Sequence, residues 1–228
     1  MRLFGGAGGS SWQTDHPWAT VYDFVVEHEH VGHGLARIGM ATDFGLLFAA
    51  AQAIGELPDG AAVLDVPCGG GVALRDLRPS QAVRYVAADI SPAMLERTRR
   101  AAARRGLPQV ETVAADVGAL PFADATFDLS VSFTGLHCFP DPRRALAELG
   151  RCTRPGGELT GSAFLNDSGL RFEPMRQVGR AMGLLGPSLT EPELQRWLGD
   201  AGFVDVAVHR SGGLTYFRAR RADGARAR

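Results

Sequence analysis

At 228 residues, 45% of them apolar and 21% charged, the chain is long enough for one sizeable core, and a second full domain would be crowded. Its 24 basic residues, all arginine, almost balance 25 acids, so the formal charge of −1 supplies no global field for nucleic acid or an anionic membrane. Cys68, Cys138 and Cys152 lack metal-ligand spacing and cannot all pair, Met1 to Ser11 has no signal-like apolar core, and no apolar run is long enough to cross a bilayer. These features together predict a reduced, cytoplasmic protein with no bound metal and no membrane insertion.

In chain order, Ser11 to Leu57 reads as helical with interruptions, most of its apolar residues falling in Trp18 to His30 and Leu46 to Ile54. Residues 1–57 are therefore expected to form an N-terminal helical cap or lid. His16, His28, His30 and His33 lie here, but they lack an i, i+4 pair and helical spacing scatters them over more than one face, which favours a solvated segment over a metal site. Pro58-Asp59-Gly60 breaks the helix and opens a core over residues 58–220.

The pattern then changes. Ala61 to Val66 is a short apolar run carrying Asp65 near its end and followed by Pro67-Cys68-Gly69-Gly70-Gly71. Arg84 to Ile90 is a second run with Asp89 near its end, and Ser91-Pro92 supplies the N-cap and first turn of a helix that Gly106 stops. Val110 to Ala115, with Asp116 behind it, and Phe127 to Phe133 are two further strands. Pro140 to Cys152 is a helix with Ala145, Leu146 and Leu149 on one face, and Pro155-Gly156-Gly157 turns the chain into a fifth strand, Glu158 to Leu165. Strands alternating with helices at this spacing predict a doubly wound α/β domain.

Residues 166–188 read as an insertion that forms part of a pocket. Leu170, Phe172, Met175, Val178, Met182, Leu184 and Leu185 alternate there with Arg171, Arg176 and Arg180, and core packing is the expectation for most of the apolar set. Thr190-Glu191-Pro192-Glu193 is a capping box opening a helix that ends at Gly202. Val204 to His209 and Leu214 to Ala219 flank Ser211-Gly212-Gly213 as an antiparallel hairpin. The basic end, 221–228, reads as a disordered tail.

A crevice for a cofactor in such a sheet lies at the carboxyl ends of the strands, where the chain order reverses, and Asp65, Asp89 and Asp116 all fall there. A nicotinamide dehydrogenase would need G-x-G-x-x-G running into the helix, and Gly69-Gly70-Gly71-Val72-Ala73-Leu74 does not supply it. Val63 to Gly71 instead resembles the first motif of the class I S-adenosylmethionine-dependent methyltransferases. Tyr85 to Ser91 with Met94-Leu95 resembles the second and Ala114 to Val117 through Leu120-Pro121-Phe122 the third. Phe127-Asp128-Leu129 to Pro142 and Arg154 to Gly157 complete the series. The resemblance, over about residues 60–165, is to the branch that includes ubiquinone and menaquinone biosynthesis enzymes.

That resemblance implies a Rossmann-like, seven-stranded, mostly parallel sheet with an antiparallel C-terminal hairpin and an N-terminal helical cap. It also implies S-adenosyl-L-methionine as cofactor and S-adenosyl-L-homocysteine as product. Asp65, Pro67, Gly69 and Gly71 would face the methionine part. Asp89 would hold the ribose hydroxyls, with Ile90 packed on adenine, and Met94 of the same motif is a further cofactor-binding position. Asp116 and the Val117 backbone would meet the adenine amino group, Ser132 and Phe133 would line the sulfonium end, and Tyr22 would reach the carboxylate. Pro67 departs from the glycine usual in the family, but its carbonyl remains an acceptor.

In-line displacement at a sulfonium gains much from positioning and desolvation, so a catalytic residue need not announce itself. His137, after the fourth strand, is the best catalytic candidate, against the plainer reading that it orders its loop. The apolar 166–188 segment favours a small hydrophobic or aromatic methyl acceptor. Ser132-Phe133-Thr134-Gly135 lacks the Asn/Asp-Pro-Pro-aromatic motif of DNA amino-methyltransferases, so nucleic acid is not an expected partner. The chain is expected as a monomer or homodimer. The alternative is a protein of this fold that catalyses another step, such as a cyclisation, or that binds the cofactor as a non-catalytic partner.

Overall fold

The computed structural model describes residues 41–42 and 45–223. Among them β1 (Ala62–Asp65), β2 (Arg84–Asp89), β3 (Val110–Ala114), β4 (Phe127–Phe133), β5 (Thr153–Phe164), β6 (Phe203–Ser211) and β7 (Leu214–Arg221) form one sheet in the order β3-β2-β1-β4-β5-β7-β6. The first five strands are parallel, and β7 runs antiparallel to both β5 and β6. Five α-helices accompany them: α1 (Gly45–Gly55), α2 (Pro92–Arg104), α3 (Pro142–Cys152), α4 (Glu173–Ala181) and α5 (Glu191–Asp200).

The parallel strands are covered on both faces, which is why β2 and β4 read as nearly unbroken apolar runs. One face packs Leu64 and Val86 against Leu146 and Leu149 of α3 and Leu194 and Leu198 of α5. The other packs Val63 and Tyr85 against Ile54 of α1, Leu74, and Leu95 of α2. The helix starts follow from their caps. Asp141 accepts from the Arg144 amide at 2.9 Å, and the Thr190 amide donates to Glu193 at 2.8 Å in a closed capping box.

Two boundaries differ from the sequence expectation. β5 begins at Thr153, and Arg154 to Gly157 are absorbed as an irregularity opposite Phe127 and Leu129, with Gly156 at φ 76°. β7 continues past Ala219 to Arg221, whose guanidinium donates to the Gly150 and Gly202 carbonyls at 2.8 Å each. Arg221 thus ties down the ends of α3 and α5 rather than opening a tail; residues 224–228 lie outside the described residues.

The core-packing expectation for 170–185 is also corrected. Phe172 and Leu184 are buried, but Leu170, Met175, Val178 and Met182 are exposed, while Arg176 is buried. The reason is local polarity. The Leu165 and Gly169 carbonyls need donors, and the Arg176 guanidinium supplies them at 3.2 and 3.1 Å while pairing with Glu173 at 2.8 Å.

Because β2 and β4 flank β1 on opposite sides, the chain order reverses there, and the crevice this opens lies at the carboxyl ends of β1 and β4.

Candidate functional site

A cavity of about 340 Å³ occupies that crevice, within the range of small-molecule sites. Asp65 and Asp89, the last residues of β1 and β2, and Asp116, two residues beyond β3, all line it. Short loops hold the strand ends in step: the Cys68 amide donates to the Ala88 carbonyl at 2.9 Å and the Ala115 amide to the Asp89 carbonyl at 3.0 Å. The glycine loop is clamped from α2, where the Thr98 hydroxyl donates to the Gly69 carbonyl at 2.7 Å.

Asp65 is fully enclosed, and its carboxylate accepts from the Tyr85 hydroxyl at 2.8 Å. Burial pushes its pKa up to about 7; the Tyr85 bond offsets part of this and the nearby Asp89 charge adds to it. Asp89 accepts from the Gly69 amide at 3.0 Å and the Ser91 amide at 2.9 Å. Burial raises its pKa as well, against those backbone bonds. Each carboxylate oxygen of Asp89 keeps a second lone pair for a ligand hydroxyl. Asp116 is exposed, and one of its oxygens accepts from the Gly118 amide at 2.8 Å.

No arginine is found among the described residues that line the cavity. Two buried carboxylates without a counter-cation are poorly placed for a phosphate-bearing ligand and well placed for a cationic one. Ile90, Met94 and Val117, which follow Asp89 and Asp116 in the chain, give the cavity apolar lining, and Phe133, Phe139, Phe164 and Leu184 line it as well. A ligand with a ribose, a flat base and a positively charged arm fits these acceptors and walls. The residues present therefore suit S-adenosyl-L-methionine.

The structure brings most of the sequence candidates together. Asp65, Pro67, Gly69, Asp89, Ile90, Met94, Asp116, Val117, Phe133 and His137 all line the one cavity. Gly71 does not: at φ 87° it ends the loop, and a side chain there would meet Leu74, Thr98 and Ala101, so its smallness serves the packing of α2. Ser132 also falls outside, because alternate residues of a strand face opposite sides and Phe133 takes the cavity side. Tyr22 and the N-terminal histidines, His16, His28, His30 and His33, lie outside the described residues.

His137 lines the cavity and also serves as a tie. Its Nδ1 accepts the Phe164 amide at 3.0 Å, so Nε2 carries the ring proton, and burial pushes the pKa down to about 4. The neutral ring fastens the loop after β4 to the end of β5 and packs edge-on against Phe164, with centroids 6.2 Å apart. Replacing His137 with alanine would strand the buried Phe164 amide. We expect a loss of about 1–3 kcal/mol in urea unfolding, and an unchanged midpoint would refute the tie.

Sequence reasoning missed Tyr85 as a partner of Asp65, and it missed Phe139, Phe164 and Cys138 in the wall. Tyr85 left one signal, a phenol in a strand of small apolar residues, whose hydroxyl requires a buried partner. Cys138 holds its proton, since burial pushes its pKa up to about 12, so no thiolate is available there to compete for an electrophile.

Comparison with known proteins agrees with this geometry. A methyltransferase-domain family model matches residues 64–160. The chain is 30% identical over 221 residues to a demethylmenaquinone methyltransferase of Renibacterium salmoninarum, covering 86% of this chain and 88% of that protein. A methyltransferase solved in complex with the Haloferax volcanii Trm112 activator superposes with a TM-score of 0.67 at 18% identity, over 95% of this chain and 100% of that one. The [4+2]-cyclase SpnF has the same fold, with a TM-score of 0.63 at 20% identity over 78% of this chain and 80% of that one.

Proposed function

Because the chain belongs to the class I S-adenosylmethionine-dependent methyltransferases, in the quinone-biosynthesis-like branch, we propose that it methylates a small apolar or aromatic acceptor held at the Phe133, Phe139 and Phe164 end of the cavity. One observation carries this reading. A single cavity joins two buried carboxylates, with no arginine among its described lining residues, to a wall of aromatic and aliphatic side chains.

When bound, S-adenosyl-L-methionine would supply an electrophilic methyl on a sulfonium, with S-adenosyl-L-homocysteine as the product. The chain's own residues bind, orient and dry the site. Asp89 would accept from the ribose hydroxyls, Ile90, Met94 and Val117 would enclose the base, and Asp116 would accept from its amino group. Asp65 faces the positively charged arm, with the Pro67 carbonyl and the Gly69 backbone beside it. Phe133, Phe139 and Phe164 exclude water, which strengthens every charge interaction inside. The proposed transfer requires no general base, which suits an acceptor that ionises readily, such as a phenol, a quinol ring carbon or an activated amine.

Demethylmenaquinone, after which these relatives are named, puts a reduced quinone first in an assay panel, followed by phenols and amines. Methyl transfer to at least one class, with formation of S-adenosyl-L-homocysteine, is the expected result. Tight cofactor binding with no transfer to any of them would favour the alternative, a cyclase or binding partner of this fold. A first check on the cofactor cradle is Asp89→Ala. It should weaken S-adenosyl-L-methionine by about 1–3 kcal/mol in calorimetry, because the ribose loses a charged acceptor and Gly69 loses its anchor. Unchanged affinity would remove Asp89 from the proposed site.

A further inference from the structure

Four of the five large apolar side chains left exposed among the described residues are Leu170, Met175, Val178 and Met182, the fifth being Val204. Leu170 is 89% exposed and Val178 58%. On α4 and its C-cap residue Met182 the positions 175, 178 and 182 share one face, while the buried position on the helix is Arg176, so the helix turns an apolar stripe outward and an arginine inward. Soluble proteins rarely leave such a stripe uncovered.

We propose that this stripe is a docking face for an anionic lipid surface. Two observations favour lipid over another occupant. In the run from Leu170 to Met182 the buried Arg176 pairs with Glu173, and the two remaining arginines, Arg171 and Arg180, are exposed beside the stripe, Arg180 at 3.6 Å from Glu173. Apolar side chains flanked by cations whose stems lie along them are the pattern of a helix that rests in the headgroup layer. The stripe also borders the cavity: Met175 and Gly179 line it, so an acceptor held in the acyl layer would meet the mouth of the site without crossing water. None of the described helices is long and apolar enough to span a bilayer, so the contact is peripheral. The net charge of the whole chain does not drive it; the patch does.

The docking face stands apart from the choice of acceptor, and the experiment keeps the two distinct. The full chain is sedimented with vesicles of phosphatidylcholine alone and of phosphatidylcholine mixed with phosphatidylglycerol. We expect it to pellet with the anionic vesicles, less so at high salt, and expect Leu170→Glu with Val178→Glu to stay in the supernatant. Neither residue lines the cavity, so calorimetric binding of S-adenosyl-L-methionine by the double variant should match the parent and show that it is folded. A parent protein that ignores both vesicles, or a variant that pellets equally, overturns the proposal. So does strong exchange protection of residues 170–182 without lipid, or a dimer that the variant dissociates, since either assigns the face to this chain or a second copy. Vesicle binding without methyl transfer would count against the acceptor reading and leave the docking face intact.

Discussion

Asp65→Asn is expected to stabilise the unliganded protein above neutral pH while weakening its hold on S-adenosyl-L-methionine. Burial raises the folded pKa of Asp65 to about 7, from an ordinary value of 3.8. The folded state therefore binds this proton more tightly than the unfolded chain. The stability it contributes is fully present below about pH 4 and is lost as pH rises through 7. Above that, the native protein holds a buried carboxylate with the Tyr85 hydroxyl as its partner and no arginine among the described residues lining the cavity. Asparagine keeps an acceptor for Tyr85 and carries no charge at any pH. Its stability advantage should be small at pH 4.5 and reach about 2–4 kcal/mol at pH 8, read from urea unfolding at the two values.

Binding should show the opposite sign. A cationic ligand favours the carboxylate, so wild-type affinity should fall as pH drops below 7, by up to about tenfold per unit. In the variant most of that slope disappears, leaving what Asp89 contributes, and affinity at pH 8 drops by about 1.5–3 kcal/mol. If Asp65→Asn gives the same stability difference at both pH values, or leaves affinity undiminished, Asp65 is neither strained in the unliganded protein nor used by the ligand.

Much of this site was legible in the sequence because it depends on strand ends. Parallel strands joined by helices bring their carboxyl ends to one edge, so Asp65, Asp89 and Asp116 had to gather once the strands were recognised. The capping box at Thr190 and Glu193 was equally local. What the sequence hid depends on register and tertiary demand. The Tyr85 bond to Asp65 requires β1 and β2 to pair with Asp65 opposite Ala87, which no local pattern states. Ser132 and Phe133 are neighbours on one strand, so the pleat can send only one of them to the cavity wall. The alternation of apolar residues and arginines in 170–182 has helical period either way. Only the Leu165 and Gly169 carbonyls, which need donors, decide that Arg176 turns inward. Arg221 reads as the start of a disordered tail by composition, yet it finds backbone carbonyls at two helix ends.

Gly135→Ala is expected to damage the site from its hinge side. Gly135 follows Thr134, which sits at φ 53° and whose amide is held by the Ser162 carbonyl at 2.9 Å, so the chain has little freedom to move where β4 ends. A methyl group at 135 would overlap the Pro67 ring and come within 2.9 Å of both Phe139 Cζ and Ser132 Oγ. Pro67 and Phe139 both line the cavity, and neither can yield by a simple rotation, since the proline ring is fixed to its backbone and Phe139 is buried. The loop after β1 and the loop after β4 must then separate, and the residues facing the ligand move with them. We expect a stability loss of about 1–3 kcal/mol and at least a roughly tenfold loss of S-adenosyl-L-methionine affinity. Gly179→Ala is the matched comparison. It lies on the same cavity wall, but the nearest atoms its added methyl meets belong to the Leu185 side chain, at 2.8 Å, rather than to a fixed proline ring. Unfolding and calorimetry on the pair separate the two costs. If Gly135→Ala binds as tightly as Gly179→Ala, the close approach of the two loops does not shape the site.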